Sequence, residues 1–454
     1  MRTIFVVTVF LALTAHGVIS ADEPAWQAGF ASVKITPEQP IFLAGYASRN
    51  MPFKNVDADL FVKAIALKDA KGNKLVIVTS DILGFRESIA GPICDRLQKR
   101  TGLRREQILL NSSHTHTGPL LTLDPKPRGN LSSGDVQRSV LYTKDLQDKV
   151  VRTVEQALEK TEPVKLSWGA GLVHFVMNRR EFTATGVRLG VNPRGLADRS
   201  VPVLRIDTPS GKLRAVLFGA ATHGTTLGGN HYGVSGDYAG FAQAELEKQY
   251  PGIQASFMLG CAGDSNPYPR GKLEMSKTHG KTLATEVSRV LNGKLRPVKG
   301  PLRMAFRKVA LPLQKPPTKE QMESMAKKGS GAFRWVGKQM LDFRKRGEKL
   351  PTEYKAPFAM YRFGDDLTMV AMPGEVVVDY VQLAENTLGP LNLWVAGYCN
   401  DVFGYLPSAR VLREGGYETR GMIYGGIGFF SPKAQDVVAE TLRSLGKQVG
   451  RVGE

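Results

Sequence analysis

Six apolar runs in this chain share one construction, and it restricts the fold more than any other feature. KLVIVTSD (residues 74–81) closes on Ser80-Asp81, and QILLNSSHTH closes on His114 and His116. LRAVLFGAATHG reaches His223, and ASFMLGCAGDSN reaches Asp264, Ser265 and Asn266. LTMVAMPGE stops at Glu375, and LNLWVAGYCND runs through Asp401 toward Tyr405. Each run is short, rich in Val, Leu, Ile or Phe, and bounded by glycine or a polar turn, so each reads as a buried strand. Helical patterns lie between them. Ile89, Ile93 and Leu97 recur every four residues, as do Leu146, Val150, Val154 and Leu158, and Leu283, Val287 and Leu291. SPKAQDVVAETL opens with a Ser431 cap and Pro432 in the first turn. Strands alternating with helices imply one large α/β domain, with mixed sheets flanked by helices and the active site at the strand carboxyl ends.

The chain has only 7 histidines, yet His114 and His116 stand one residue apart. In extended chain, residues two apart project to the same side, so the pair can present two imidazoles to one metal, or one to a metal and one to a substrate. A hydrogen-bonded pair in a polar turn explains the spacing equally well. The Asp-His that follows such a pair in metallo-β-lactamases is absent; Thr117-Gly118-Pro119 stands there instead. His223 shifts the balance, because it ends a second apolar strand, and Glu375 ends a third. Two histidines and a carboxylate from separate strand ends suit a catalytic zinc that keeps one position open for water. His231, in a glycine-rich loop, reads as a surface histidine, and His174 and His279 read as structural.

The remaining features set the context. Residues 1–21 carry Arg2, an apolar stretch and small residues near Ser20 and Ala21, the pattern of a cleaved secretory signal. With no later apolar stretch of membrane-spanning length, a secreted or periplasmic protein is expected. The net charge is +19, but no zinc-knuckle, helix-turn-helix or RNP-like signature points to nucleic acid. Cys94, Cys261 and Cys399 allow at most one disulfide, and a Cys261–Cys399 bridge stands against a reading of two buried thiols. Residues 315–355 hold eleven Lys and Arg against five acids. Phe333, Val336, Met340 and Phe343 fall there at helical spacing. Either this is a surface helix packed on the core, or a basic amphipathic insertion that touches membrane.

SSHTHTGP resembles the histidine motif of the neutral/alkaline ceramidases, zinc amidases that cut the N-acyl bond of ceramide. GFASVKITP, LAGYASR, NRR at residues 178–180, ATHG, VSGD, GDSNP, PGE, GYLPS and GGYE continue the similarity in order across the chain. The resemblance implies zinc ligands at His114, His223, Glu375 and Tyr405, with His116 beside them orienting water or substrate and Arg179 on the substrate side. Two departures stand out. The family loop reads Gly-Asp-x-Ser-Pro, whereas here Asn266 takes the serine's place and Ser265 comes one residue early. The family also continues into a C-terminal β-sandwich domain, which is expected to be missing here.

Residues 22–454 are thus expected to form a Zn2+-dependent hydrolase of an N-acyl amide in a lipid-like substrate. A zinc-activated water would attack, His116 or Asp264 would assist proton transfer, and Asn266 or Arg179 would steady the oxyanion. The alternatives are a zinc amidase or esterase on another acyl compound, and a non-catalytic lipid- or envelope-binding protein with a relic metal site.

Overall fold

The structure, a computed structural model, describes residues 26–126, 130–329, 331–421 and 428–452; the leader expected at 1–21 lies outside them. The apolar runs are continuous rather than alternating because their strands are covered on both faces. Eight strands of the nine-stranded sheet run in the order Gln254–Leu259, Leu213–Ala220, Ser200–Asp207, Thr161–Leu172, Trp26–Lys34, Phe61–Asp69, Lys74–Ser80 and Ile108–Ser112. Arg296–Val298 pairs alongside Thr161–Leu172. A second sheet holds Leu302–Pro312, Glu353–Phe363, Leu367–Ala371 and Leu393–Ala396. Both sheets are mixed. The strands that carry site residues pair in parallel: Lys74–Ser80 with Ile108–Ser112, Leu213–Ala220 with Gln254–Leu259, and Leu367–Ala371 with Leu393–Ala396.

Successive side chains on each strand sort into different cores. Leu75, Ile77, Leu217 and Met258 face Tyr361, Phe363, Met369 and Trp394 between the two sheets. Their neighbours Val76 and Val78 pack under Ile89, Ile93, Val150 and Val154, and Val216 and Phe218 pack under Ala242, Leu246, Leu283 and Val287. On the other side of the small sheet, Phe358, Met360 and Val370 meet Tyr380, Val438 and Leu442. The result is four layers, helix–sheet–sheet–helix. Each fully buried Val, Leu, Ile or Phe contributes about 1.5–3 kcal/mol, so the two-sided strands are firmly anchored and carry the site at their ends.

The helical periodicities correspond to Glu87–Thr101, Ser133–Glu159 and Leu273–Leu291. Ser132 caps the second of these through a capping box with Asp135. The last helix, Ala434–Gln448, starts beyond the expected Ser431 cap; Ser431 Oγ instead accepts from the Lys433 N–H at 3.3 Å in the preceding turn. Among the described residues no helix is long and apolar enough to cross a membrane.

Within residues 315–355, Lys319–Lys328 and Gly331–Lys345 form a helical hairpin. Met322, Val336 and Met340 are buried with Met325, Trp335, Leu341 and Phe429 around them. Much of the apolar stripe is therefore packed within the hairpin, which favours the packed surface helix. Cys94, Cys261 and Cys399 are buried free thiols, so no Cys261–Cys399 bridge forms.

Candidate metal centre

The strand Ile108–Ser112 ends two residues before His114, so the histidine pair does not lie in extended chain as its spacing suggested. His114 takes a left-handed backbone, φ 54°, a conformation rare for a residue with a Cβ. The chain then pairs with the other histidine loop through a Thr115–Gly224 bridge and a His116 N–H to Gly224 carbonyl bond of 2.9 Å. Gly224 must lack a side chain, since a Cβ there would lie 2.7 Å from the His114 carbonyl oxygen. This contact accounts for the glycine of ATHG and brings the two histidine loops into register.

His114, His116 and His223 are all buried, and one ring nitrogen of each lies within 4.8 Å of the others. His114 Nδ1–H donates to the Leu83 carbonyl at 2.5 Å, and His223 Nδ1–H donates to the Ala262 carbonyl at 2.7 Å. Those bonds set the tautomers and turn both Nε2 lone pairs inward. They meet the Glu375 carboxylate: His223 Nε2 lies 3.1 Å from Oε2, and His114 Nε2 lies 3.4 Å from it. His116 Nε2 is 3.2 Å from His114 Nε2. Burial lowers the His223 pKa to about 3 and holds that of His116 well below its ordinary value, so these imidazoles are neutral near pH 7. Lone pairs of His114 and His223 thus converge on a carboxylate, and among the described residues Glu375 Oε1 and His116 Nδ1 find no hydrogen-bond partner. Such a donor set fits a divalent cation that prefers nitrogen and oxygen, zinc above all.

Tyr405 occupies the adjoining wall, its ring stacked toward His223 at 6.4 Å between centroids. Arg179 Nη2 donates to the Tyr405 oxygen at 3.0 Å, and its Nη1 lies 3.3 Å from the Asn266 side chain. Arg179 is held by Glu418 at 2.9 Å, and the same carboxylate takes Arg180 at 2.6 Å. Ser265 is buried and its Oγ finds no hydrogen-bond partner among the described residues, whereas Asn266 also touches Thr225 Oγ1 at 3.0 Å. Asp264 sits behind this wall. Its carboxyl accepts from the Val378 N–H at 2.9 Å and from Asn178 Nδ2 at 3.3 Å, and burial raises its pKa to about 7.

Residues 26–301 match the family described as neutral/alkaline non-lysosomal ceramidase, N-terminal. The chain belongs to that family. It is 24% identical over 293 residues to neutral ceramidase B of Dictyostelium discoideum and 23% identical over 261 residues to the neutral ceramidase of Pseudomonas aeruginosa. Those matches cover 60% and 54% of this chain but only 39% and 38% of the relatives' own lengths. The crystal structure of the Pseudomonas aeruginosa neutral ceramidase superposes with a TM-score of 0.71 at 19% identity, over 95% of this chain and 76% of that one. That likeness bears out the expected α/β fold.

In this ceramidase-family chain, several residues that organise the centre carried no role in the sequence reading. Asn111 is buried at the sheet edge. Its side chain accepts from the Leu259 N–H at 2.9 Å and donates to the Gly397 carbonyl at 2.9 Å, tying three strand ends together. A lone Asn inside the apolar run ILLNSS was its signal. Tyr398, at φ 55°, packs its ring 4.6 Å from His114. Glu418 belongs to GGYE, and only the fold shows that it serves both arginines of NRR. His231 is half-buried and bonds Asp57 at 2.6 Å, while His279 is buried, stacks on Phe175 and bonds the Pro269 carbonyl at 2.7 Å.

Gly45 sets the depth of His116. At φ +89°, a Cβ there would fall 2.3 Å from His116 Nδ1. Gly45→Ala is therefore expected to push the ring aside and lower turnover by about a hundredfold, with zinc content kept. Parallel metal analysis and turnover assays check this; loss of neither would mean that His116 does not act from this position.

Proposed function

We propose that this protein is a zinc-dependent hydrolase of an N-acyl amide bond in a lipid-like substrate, acting as one unit over residues 22–454. The reading rests above all on one observation: His114 and His223, locked by carbonyls, turn bare Nε2 atoms onto the carboxylate of Glu375 in a buried site. These three, with Tyr405, would hold Zn2+. When bound, zinc lowers the pKa of a water toward neutrality and polarises the scissile carbonyl. Glu375 lies outside the segment matched by the family yet on the same wall as His223, which favours a single catalytic unit.

The protein's own groups then divide the remaining work. His116, neutral and in contact with His114, is placed to take a proton from the attacking water and pass it to the leaving amine. Arg179 fixes the Tyr405 oxygen and, with the Asn266 amide, offers donors to charge developing on the carbonyl oxygen. Asp264, its pKa raised by burial to about 7, braces the Asn178 side chain and the Val378 backbone from behind. Asn266, standing where the resemblance places a serine, supports direct attack by water rather than by a side-chain hydroxyl. It also favours a second reading, a zinc amidase or esterase on an acyl compound other than ceramide. With much of its apolar stripe packed, the segment 315–355 is better read as a structural insertion than as a membrane contact. The leader pattern supports action outside the cytoplasm.

The deciding experiment measures fatty-acid release from an N-acylsphingosine by zinc-reconstituted protein beside a chelated control. Chelator-sensitive release is expected. Protein that holds zinc but turns over no acyl amide or ester in a broader panel would overturn the catalytic reading and point to a binding protein.

A further inference from the structure

Beside the candidate centre, two arginines stand without acidic partners. Arg270 is exposed at the end of GDSNPYPR. Its Nη2 donates to the Tyr46 hydroxyl at 3.2 Å, and its Nη1 lies 2.9 Å from the Asn266 side-chain amide. Both neighbours lead inward. The Tyr46 ring meets His116 edge-on, 4.9 Å between centroids, and Asn266 touches Arg179, which holds the Tyr405 oxygen. The second arginine, Arg49, lies 5.0 Å from the centre of the Tyr46 ring. It is buried and donates to carbonyls alone, those of Ala44 and His116 at 2.6 Å and that of His231 at 3.1 Å. Its Nε finds no partner among the described residues.

The strongest charges acting on the Tyr46 phenol are Arg270, Asp237, Arg49 and Arg179, three cations to one acid. Asp237 is buried and committed, accepting from Ser276 Oγ at 2.7 Å and from the Tyr238 and Leu227 N–H groups at 2.6 and 3.3 Å. Asp57 is held by the His231 ring at 2.6 Å, and Arg179 is answered by Glu418. Among the described residues Arg49 and Arg270 enter no ion pair. A buried cation with only carbonyl partners is costly. An exposed guanidinium set on a neutral phenol and amide keeps several N–H groups for an oxyanion. A ligand that brings negative charge to this rim answers both. In an N-acyl lipid the acyl half is the apolar chain, so the charge belongs to the other half. We propose that the amine half of the substrate carries an oxyanion, a carboxylate or a phosphate, and that Arg270 binds it beside Tyr46, within the field of Arg49. Hydrolysis then adds the hydroxyl of water to the acyl carbon and its proton to the amine, so that N-octanoylglycine yields octanoate and glycine. The cleavage rests on the hydrolase reading above; recognition of the anion does not.

The test gives the zinc-reconstituted full chain three amides with one octanoyl chain: N-octanoylglycine, N-octanoyl-O-phosphoethanolamine and the neutral N-octanoylethanolamine. A kcat/KM about tenfold higher for at least one anionic amide is expected, and the better of the two tells carboxylate from phosphate. Arg270→Ala should bring the ratio of anionic to neutral kcat/KM close to one, and Arg270→Lys should keep part of it. Added salt should lower the ratio in the wild type, because the rim is exposed. Equal rates, a preference for the neutral amide, or a ratio unchanged in Arg270→Ala overturns the proposal and leaves the hydrolase reading standing. If none of the three is cleaved, calorimetric titration with the same compounds decides. Tighter binding of an anionic amide than of the ethanolamide, lost in Arg270→Ala, upholds the anion site; equal binding overturns it. The hydrolase reading is then judged separately, by release from N-acylsphingosine.

Discussion

His223→Ala is expected to strip the protein of zinc and lower acyl-amide hydrolysis by about a thousandfold. His223 ties the Ala262 carbonyl to the Glu375 carboxylate, at 2.7 and 3.1 Å. Its removal deletes a ligand and frees Glu375 to move. A metal's stabilisation of developing charge is worth several kcal/mol, and each 1.36 kcal/mol is a factor of ten. His231→Ala makes the comparison sharp, because that imidazole bonds Asp57 in a different loop and should leave zinc content intact. Atomic absorption after dialysis, read beside the rate, decides the matter. Full zinc and full rate in His223→Ala would sink the ligand assignment.

Glu418→Gln is expected to destabilise the fold by about 3–5 kcal/mol and to reduce turnover as well. One carboxylate serves two arginines, Arg179 at 2.9 Å and Arg180 at 2.6 Å, and all three side chains are almost fully buried. Arg180 retains a bond to Glu414 at 3.1 Å, but Arg179 loses its direct acidic partner and with it the hold on Tyr405. An uncompensated buried charge costs more than the ion pair gained, because desolvation is no longer offset. Denaturant melts should show the loss of stability, and the turnover of whatever folded protein remains should fall. Glu414→Gln, whose carboxylate is itself partly exposed and which leaves Arg180 paired with Glu418, should cost much less. Equal melts for wild type and Glu418→Gln would show that solvent or another group takes over the charge.

Much of this was legible in the sequence, for physical reasons that differ by element. The buried strands were readable because two-sided burial demands uninterrupted Val, Leu, Ile and Phe, and the helices because one covered face imposes a four-residue rhythm. His114, His223 and Glu375 stood out because polar ligand-type residues at the ends of apolar runs are not required by packing. The resemblance added Tyr405 and Arg179, and the fold sets both beside His223 and Glu375. The histidine spacing, by contrast, suggested an extended pair. What the fold uses is a left-handed His114 held against Gly224, and backbone conformation at a single loop residue leaves no periodic trace.

Local composition therefore determined the layers, the strand ends and the list of groups able to bind a metal. Tertiary structure decided which of them meet. Lone pairs of His114 and His223 converge on Glu375 because carbonyls of Leu83 and Ala262 fix their tautomers, and those carbonyls lie in loops 31 and 39 residues away. The basic stripe at 315–355 has the pattern of a membrane helix, yet much of its apolar side is covered by its own hairpin partner and Phe429. Among the described residues, Phe182, Leu189 and Val191 stand exposed on a short β-hairpin whose composition alone drew no notice. Periodicity records that a face is apolar; only the packed chain settles whether protein or solvent covers it.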